Sequence, residues 1–365
     1  MYIKKLVLII IFTLIFSCSQ DDAITILTDN QIIPFYINQF NIQNKESFII
    51  KYKEHINMQT INEENVQIII SKNIDNINIT KNLKNIQKYY YPDYPILNNI
   101  SGKFAYRIAP LSFDIPILMY KKEYDIQKYI DVQNIKEIYK SFQKKKKIFI
   151  SPYISENLLY TISEINDINF YFSNNRPSYD EKKMSNMINH FKSFMDVNEL
   201  KLHKSFTEKY KYLTLEKILL QNKTILIAGL TNLTYYNSLN KDIRDKINFS
   251  YLTNNEKKSL VCNINFIGVK EISKSIEKFI QWILNQEVQK SLIKLKEKAK
   301  FNEYFGFANG FTPYKSLNLK LKHIIKEIPS FIVDENYLNK NSYILNTEQI
   351  TKENRMINEL FLLNP

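Results

Sequence analysis

The chain has 365 residues, 44% of them hydrophobic, 24% charged and 13% aromatic, so it can bury a large core and is long enough for two domains. Its 5 glycines show no GxGxxG or Walker spacing, and its 4 histidines and 2 cysteines form no HExxH or CxxC, which argues against glycine-loop nucleotide enzymes and local metal motifs. The formal net charge of +13 is spread among Asn and Ile along the whole chain, so no nucleic-acid stripe is marked, and the dense block Lys144 to Lys147 reads as a solvated approach to a strand.

At the N-terminus, Lys4 and Lys5 precede an apolar stretch from Leu6 to Phe16 that is too short to span a bilayer, and Ser17 precedes Cys18. These are the parts of an export signal. Leu14-Ile15-Phe16-Ser17-Cys18 resembles the lipobox of bacterial lipoproteins, in the looser form seen in spirochaetes because Phe16 is bulky. The resemblance implies a signal peptide over 1–17, acylation of Cys18 and a tether over 18–22. An ordinary signal peptide with an accidental cysteine is the competing reading. Two or more acyl chains on one residue would anchor the chain stably. Cys262 is then the only other cysteine and is expected to be buried and inert.

Ala23 to Thr28 predicts a buried strand stopped at Asp29-Asn30, which can cap a helix carrying Pro34, Phe35, Ile37 and Phe40. ESFIIKYKEH and ENVQIIISKN predict two more strands, and their continuous apolar runs imply a mostly parallel sheet in an α/β layer. Lys103 to Asp125 is apolar but interrupted by Pro110 and Pro116, which suits a crossing between domains better than a central strand. A second α/β unit follows: KKIFISPY, a helix from about Ser155 to Ile165, NFYFSN, a polar helix from Tyr179, and KTILIAGL. Val261 to Val269 predicts a strand before the best amphipathic helix, which runs from Ser273 with Ile276, Phe279, Ile280, Ile283 and Leu284 on one face. FGFANGFTPYKSLNL reads as an aromatic loop, and helical stretches lead to Pro365.

In this order the segments resemble extracellular solute-binding proteins of ABC importers with the type II periplasmic binding fold. The carrying segments are ITILTDNQIIPFYINQFN, APLSFDIPILMYKKEY, LLQNKTILIAGLTNLTYY, and Ile267-Gly268-Val269 with the following helix containing Phe279, Trp282, Leu284 and Gln289. Lys121 and Asn222 stand where the family commonly has Asn and Gly. The resemblance implies an α/β fold of two lobes with an interdomain cleft and crossing hinge strands. Lobe 1 would hold residues 23–112 and 263–312, lobe 2 residues 113–262, and 313–365 a C-terminal helical segment on lobe 2 or the hinge. It also implies a non-enzymatic, monomeric receptor that needs no cofactor and binds no nucleic acid. It would capture a small solute, a carbohydrate first and otherwise a polyamine, peptide or metal. ABC permease subunits would be its partners, on the periplasmic face of the inner membrane or at the cell surface. A surface lipoprotein with a degenerate cleft that binds host molecules is the alternative. A two-carboxylate hydrolase has no motif behind it, since pairs such as Glu63-Glu64 lie in polar stretches.

Candidate ligand residues follow from the rule that open α/β sheets bind at the carboxyl ends of their strands, and that sugar sites pair aromatic faces with planar polar groups. They are Asp29, Asn30, Ser71, Lys72, Thr231 and Asn232, whose competing role is helix capping. The aromatic candidates are Tyr90 and Tyr91 before Pro92, Tyr153, Tyr235, Tyr236, and Phe311 and Tyr314 in the glycine-flanked loop. The competing role for these is ordinary packing. Trp282, mid-helix beside Phe279, is expected in the core.

Overall fold

The computed structural model describes residues 23–72, 74–75, 77–143, 147–151, 158–166, 168, 170–173, 176–193, 201, 205–206, 208–210, 212–221, 226–254, 259–301, 303–320 and 338–343. Cys18 and Tyr153 lie outside them. The first sheet opens with β1 (Thr25–Thr28), β2 (Ile49–Tyr52) and β3 (Ile68–Ser71), with β1 central and parallel to both neighbours. Ile26, Leu27, Ile68, Ile69 and Ile70 are all fully buried, the signature of a parallel sheet covered on both faces. Helix α1 (Ile33–Asn44) and the short α2 (Met58–Glu63) connect these strands, and α3 (Pro95–Lys103) follows. Proline in the first turn of α1 fits the missing N–H there, and Lys45 ends the helix in a left-handed conformation at φ 54°.

The chain then crosses. β4 (Ile108–Asp114) pairs antiparallel with β11 (Ser259–Val269) in the first sheet, and β5 (Pro116–Lys121) is an interior strand of a second sheet ordered β6-β10-β5-β9. Its other members are β6 (Tyr129–Asp131), β9 (Ala228–Asn232) and β10 (Ile247–Thr253). The expected proline-broken crossing is therefore two buried strands that change sheet at Ile115. Pro116 is tolerated because it opens β5, and Pro110 because the β4–β11 ladder shifts register beside it, between Asn265 and Phe266.

Helices α4 (Ile135–Gln143), α5 (Leu158–Ile165), α6 (Glu181–Lys192), α7 (Leu215–Leu220) and α8 (Leu233–Ser238) accompany the second sheet. NFYFSN forms β7 (Phe170–Ser173), hairpinned to β8 (Arg176–Tyr179) away from the main sheets. Among the described residues of KTILIAGL, the strand begins at Ala228, with Leu226 bridging Ile148 in parallel. β11 returns to the first sheet, where it pairs antiparallel with β3 as well as β4.

The long amphipathic helix is two helices, α9 (Lys274–Ile283) and α10 (Gln286–Lys298). Asn285 separates them because its side chain accepts from the N–H groups of Glu287 and Val288, capping a new helix instead of continuing the old one. After α11 (Lys315–Lys320), the C-terminal part departs from the all-helical expectation: β12 (Leu338–Tyr343) pairs in parallel with the start of β11. Cys262 is 5% exposed and forms no disulfide, and burial pushes its thiol well up. Trp282 packs against Phe40 and Phe279. No helix among the described residues is long and apolar enough to cross a membrane.

Candidate functional site

The sheets meet at Ile115, and the carboxyl ends of β1 and β3 point toward that junction with Asp29, Ser71 and Lys72. Asp29 Oδ2 accepts the Ser71 hydroxyl at 2.6 Å, while Oδ1 is buried without a hydrogen-bond partner. Burial raises the Asp29 carboxyl above the usual range, against the lowering effect of the Ser71 hydroxyl and the Lys72 ammonium. The same ammonium acts on Asp114 and on Cys262, so Lys72 sits among the acidic groups of the junction. Asp114, 2% exposed, accepts from the N–H of Ile115 at 2.7 Å and from that of Thr234 at the start of α8. Burial pushes the Asp114 carboxyl up to about 6. One carboxylate thus ties the β4–β5 crossing to the second sheet's helix.

Asn30 is buried and fully engaged. Its Nδ2 donates to Asn265 Oδ1 at 3.1 Å and to the Ala308 carbonyl at 2.8 Å. Asn265 Nδ2 donates in turn to Ser112 Oγ and to the same carbonyl. Asn30 does accept from the Ile32 N–H, but its main role is in this closed network, not in capping α1 or facing a ligand. The network clamps the loop from Phe305 to Thr312, in which Gly306, Ala308 and Asn309 are left-handed. Gly310 must be glycine because a Cβ there would lie 2.7 Å from the Phe113 carbonyl.

The remaining candidates divide sharply. Phe311 is fully buried against Phe113 and Phe305, and Tyr314 is 7% exposed with its hydroxyl donating to the Leu284 carbonyl. These two aromatic candidates are core, because the loop carrying them pairs with β4 through Phe113. Tyr90 is 3% exposed in that core and its hydroxyl has no hydrogen-bond partner. Tyr91 is 73% exposed on the loop before α3.

On the second sheet, Thr231 and Asn232 are half-buried at the end of β9, which lies beside the crossing because Asn232 pairs with Pro116. Asn232 caps α8 by accepting from the Tyr235 N–H at 2.8 Å. Tyr235 donates its hydroxyl to Glu216, and burial pushes that phenol well up. Burial opposes ionisation of Glu216, yet hydroxyl donation from Thr214 and Tyr235 leaves its carboxyl below the usual range. Tyr236 packs edge-on against Phe249.

Two aromatic residues near the carboxyl end of β1 in the first sheet escaped the sequence reading. Tyr52 ends β2 opposite Thr28 and is 44% exposed, and Tyr304 donates its hydroxyl to Gln31 at 3.0 Å. The signal that could have found Tyr52 is its place at a strand's carboxyl end; Tyr304 comes from a loop 250 residues away and had none. A separate cavity of about 550 Å³ lies beside β6 and α4, lined by Asp125, Lys128, Asp131 and Glu137 among others, and includes none of the candidate residues. No group of three or more His, Cys, Asp or Glu poised to hold a metal occurs among the described residues.

No family model matches the chain, and no curated protein matches it in sequence. Solved structures do match. The Bordetella ferric binding protein aligns with a TM-score of 0.54 at 11% identity over 93% of this chain and 98% of that one. Ferric iron-binding protein A of Mannheimia haemolytica, in an open conformation, gives 0.51 at 12% over 93% and 97%. The cyclic alpha-maltosyl-1,6-maltose binding protein of Arthrobacter globiformis gives 0.62 at 10% over 93% of each. With its two sheets and the crossing strands between them, the chain has the two-lobed α/β fold of the type II periplasmic binding proteins.

Proposed function

We propose that this protein is a non-enzymatic receptor that captures a small, hydroxyl-rich solute, a carbohydrate first, in the cleft between its two sheets. The observation that carries this reading is the buried Oδ1 of Asp29, which has no hydrogen-bond partner among the described residues and lies at the carboxyl end of β1, where α/β sheets bind their ligands. A solute hydroxyl would supply the missing donor, with Ser71 and Lys72 alongside. Residues 23–114 with 259–312, which carry the first sheet from β1 to β4 and β11, form one lobe and residues 116–254, which carry the second sheet, form the other, and a solute touching both favours the closed form by its differential affinity. Acylated Cys18 tethers a monomeric receptor at the periplasmic face of the inner membrane, where an ABC permease reads the closed form. The binding-protein neighbours and the N-terminal segment that resembles an export signal support this placement.

A second reading, ferric iron as cargo, draws on the paired oxygen donors Tyr235 and Glu216 near the end of β9 and on the names of two neighbours. Hard cations take carboxylate and phenolate oxygens. Calorimetric titration against saccharides, polyamines, peptides and ferric citrate tests both readings. Saccharide binding that is lost in Asp29→Ala supports the first. Iron uptake with a visible phenolate absorption, lost in Tyr235→Phe, replaces it with the second.

A further inference from the structure

The second sheet carries a groove at its outer edge. β6 is the outermost strand in the order β6-β10-β5-β9, and the chain turns from it through Val132–Asn134 into α4. Between strand and helix lies the cavity of about 550 Å³, which none of the strand-end candidates lines. Its apolar floor is Ile126, Ile130, Ile138 and Phe142, which belong to the second sheet's core or pack on it. Phe142 is held by stacking on Phe149 at 5.7 Å and by an edge-on contact with Tyr124 at 5.5 Å. The strand side is fixed from within. The Ser250 hydroxyl donates to the Gln127 carbonyl at 2.5 Å, the Tyr120 hydroxyl to that of Ile126 at 3.2 Å, and the Tyr251 N–H to that of Lys128 at 2.9 Å.

The rim of this groove reverses the sign of the molecule. The chain has 50 Lys and Arg against 37 Asp and Glu, yet the cavity is lined by the carboxylates of Asp125, Asp131 and Glu137, with Lys128 the one cation among the described lining residues. None of the three carboxylates forms an ion pair among the described residues. Asp131 Oδ1 accepts the Gln133 N–H at 2.9 Å, which leaves Oδ2 to another donor. A concave surface lined by one sign of charge focuses its field, so these groups act together on an approaching cation.

The three carboxylates are not poised to hold a metal ion. Asp125 and Asp131 flank the strand, and Glu137 stands across the groove on α4, so the positive charges that match them are spaced apart on one molecule. Lysine and arginine side chains meet both demands of the surface: their methylenes cover an apolar floor while the charged head reaches a polar rim. We propose that the groove between β6 and α4 is a docking site for an extended, lysine- or arginine-bearing segment of a partner protein. This surface is separate from the solute cleft and independent of which solute the cleft takes.

The test is fluorescence anisotropy of labelled ten-residue peptides titrated with the full chain, one alternating lysine with threonine and one alternating glutamate with threonine. The lysine peptide should bind at least about tenfold more tightly than the glutamate peptide, and less tightly as salt is raised from about 50 to about 200 mM. Asp125→Lys and Glu137→Lys, both at exposed positions, should each weaken the lysine peptide about tenfold with an unchanged circular dichroism spectrum. Glu181→Lys, an exposed acid on α6 outside the groove, should leave binding unchanged. Equal binding of the two peptides overturns the proposal, as does a loss in Glu181→Lys equal to that in Glu137→Lys. Spermine that binds as tightly as the lysine peptide, and is lost in Glu137→Lys, makes the groove a small-cation site instead. Self-association of the chain that Glu137→Lys abolishes in sedimentation replaces the partner with a second copy.

Discussion

Asp29 and Asp75 are both carboxylates with a buried oxygen that has no hydrogen-bond partner among the described residues, but their settings differ. Asp29 has Ser71 and the Lys72 ammonium beside it at a strand end, so its missing donor is assigned to the solute. Replacing it with alanine should weaken solute binding at least about tenfold without lowering thermal stability, measured by calorimetry and by a melting curve. Asp75 is 4% exposed, and burial pushes its carboxyl up to about 7. A carboxyl raised in the folded state keeps its proton longer there than in the unfolded chain, so the stability it contributes is present below about pH 4 and is lost as pH rises to about 7. Asp114, raised to about 6, adds to the same decline. Asp75→Asn should therefore flatten the fall in stability between pH 4 and pH 8 by an amount on the order of 4 kcal/mol, read from urea midpoints. An unchanged slope would mean that Asp75 is solvated. Asn265 is the hub of the Asn30, Ser112 and Ala308 network, and Asn265→Ala strands both partners. The expected cost is about 2 kcal/mol in the same urea experiment.

At the scale of elements, apolar runs were the legible part of the sequence. β1, β3, β11 and α9 lie where their continuous or periodic apolar residues predict them, because burial on two faces or one stripe leaves that trace directly in the residues. Positions decided by one side chain's partner were not legible. Asn285 sits in an unbroken apolar period, and only its hydrogen bonds to Glu287 and Val288 show that a second helix starts there. Its replacement by alanine should cost about 1 kcal/mol and reduce the separation of α9 and α10, checked by melting and by hydrogen exchange at residues 284–288. Pro110 likewise argued against a strand, and the register shift in β11 that accommodates it involves residues 150 positions away. The candidate site shows the same limit. Strand-end rules point to Asp29, Ser71 and Lys72, which the structure places next to one another, but Phe311 and Tyr314 are core because the loop that carries them pairs with β4, a long-range choice with no local signal.

At the scale of the whole molecule, two layers are joined where β4 becomes β5, and the junction is crossed by one apolar cluster, in which Ile115, Ile117, Leu233, Phe249 and Tyr251 pack with the first sheet's core, and by a few polar bonds. Thr234 donates its N–H to Asp114 and its hydroxyl to the Asn309 carbonyl, tying the helix after β9 to the loop clamped on the first sheet. Motion of one layer against the other would pivot about these bonds, with the strand-end residues of both layers facing the space that closes. In the proposed receptor reading, selectivity lies in the difference in solute contact between open and closed forms. The most direct measurement of this account is small-angle X-ray scattering from the full chain, free and saturated with the solute that binds in the calorimetric panel. The account predicts a smaller radius of gyration on saturation, abolished in Asp29→Ala. A solute that saturates the protein and leaves the scattering curve unchanged would contradict it.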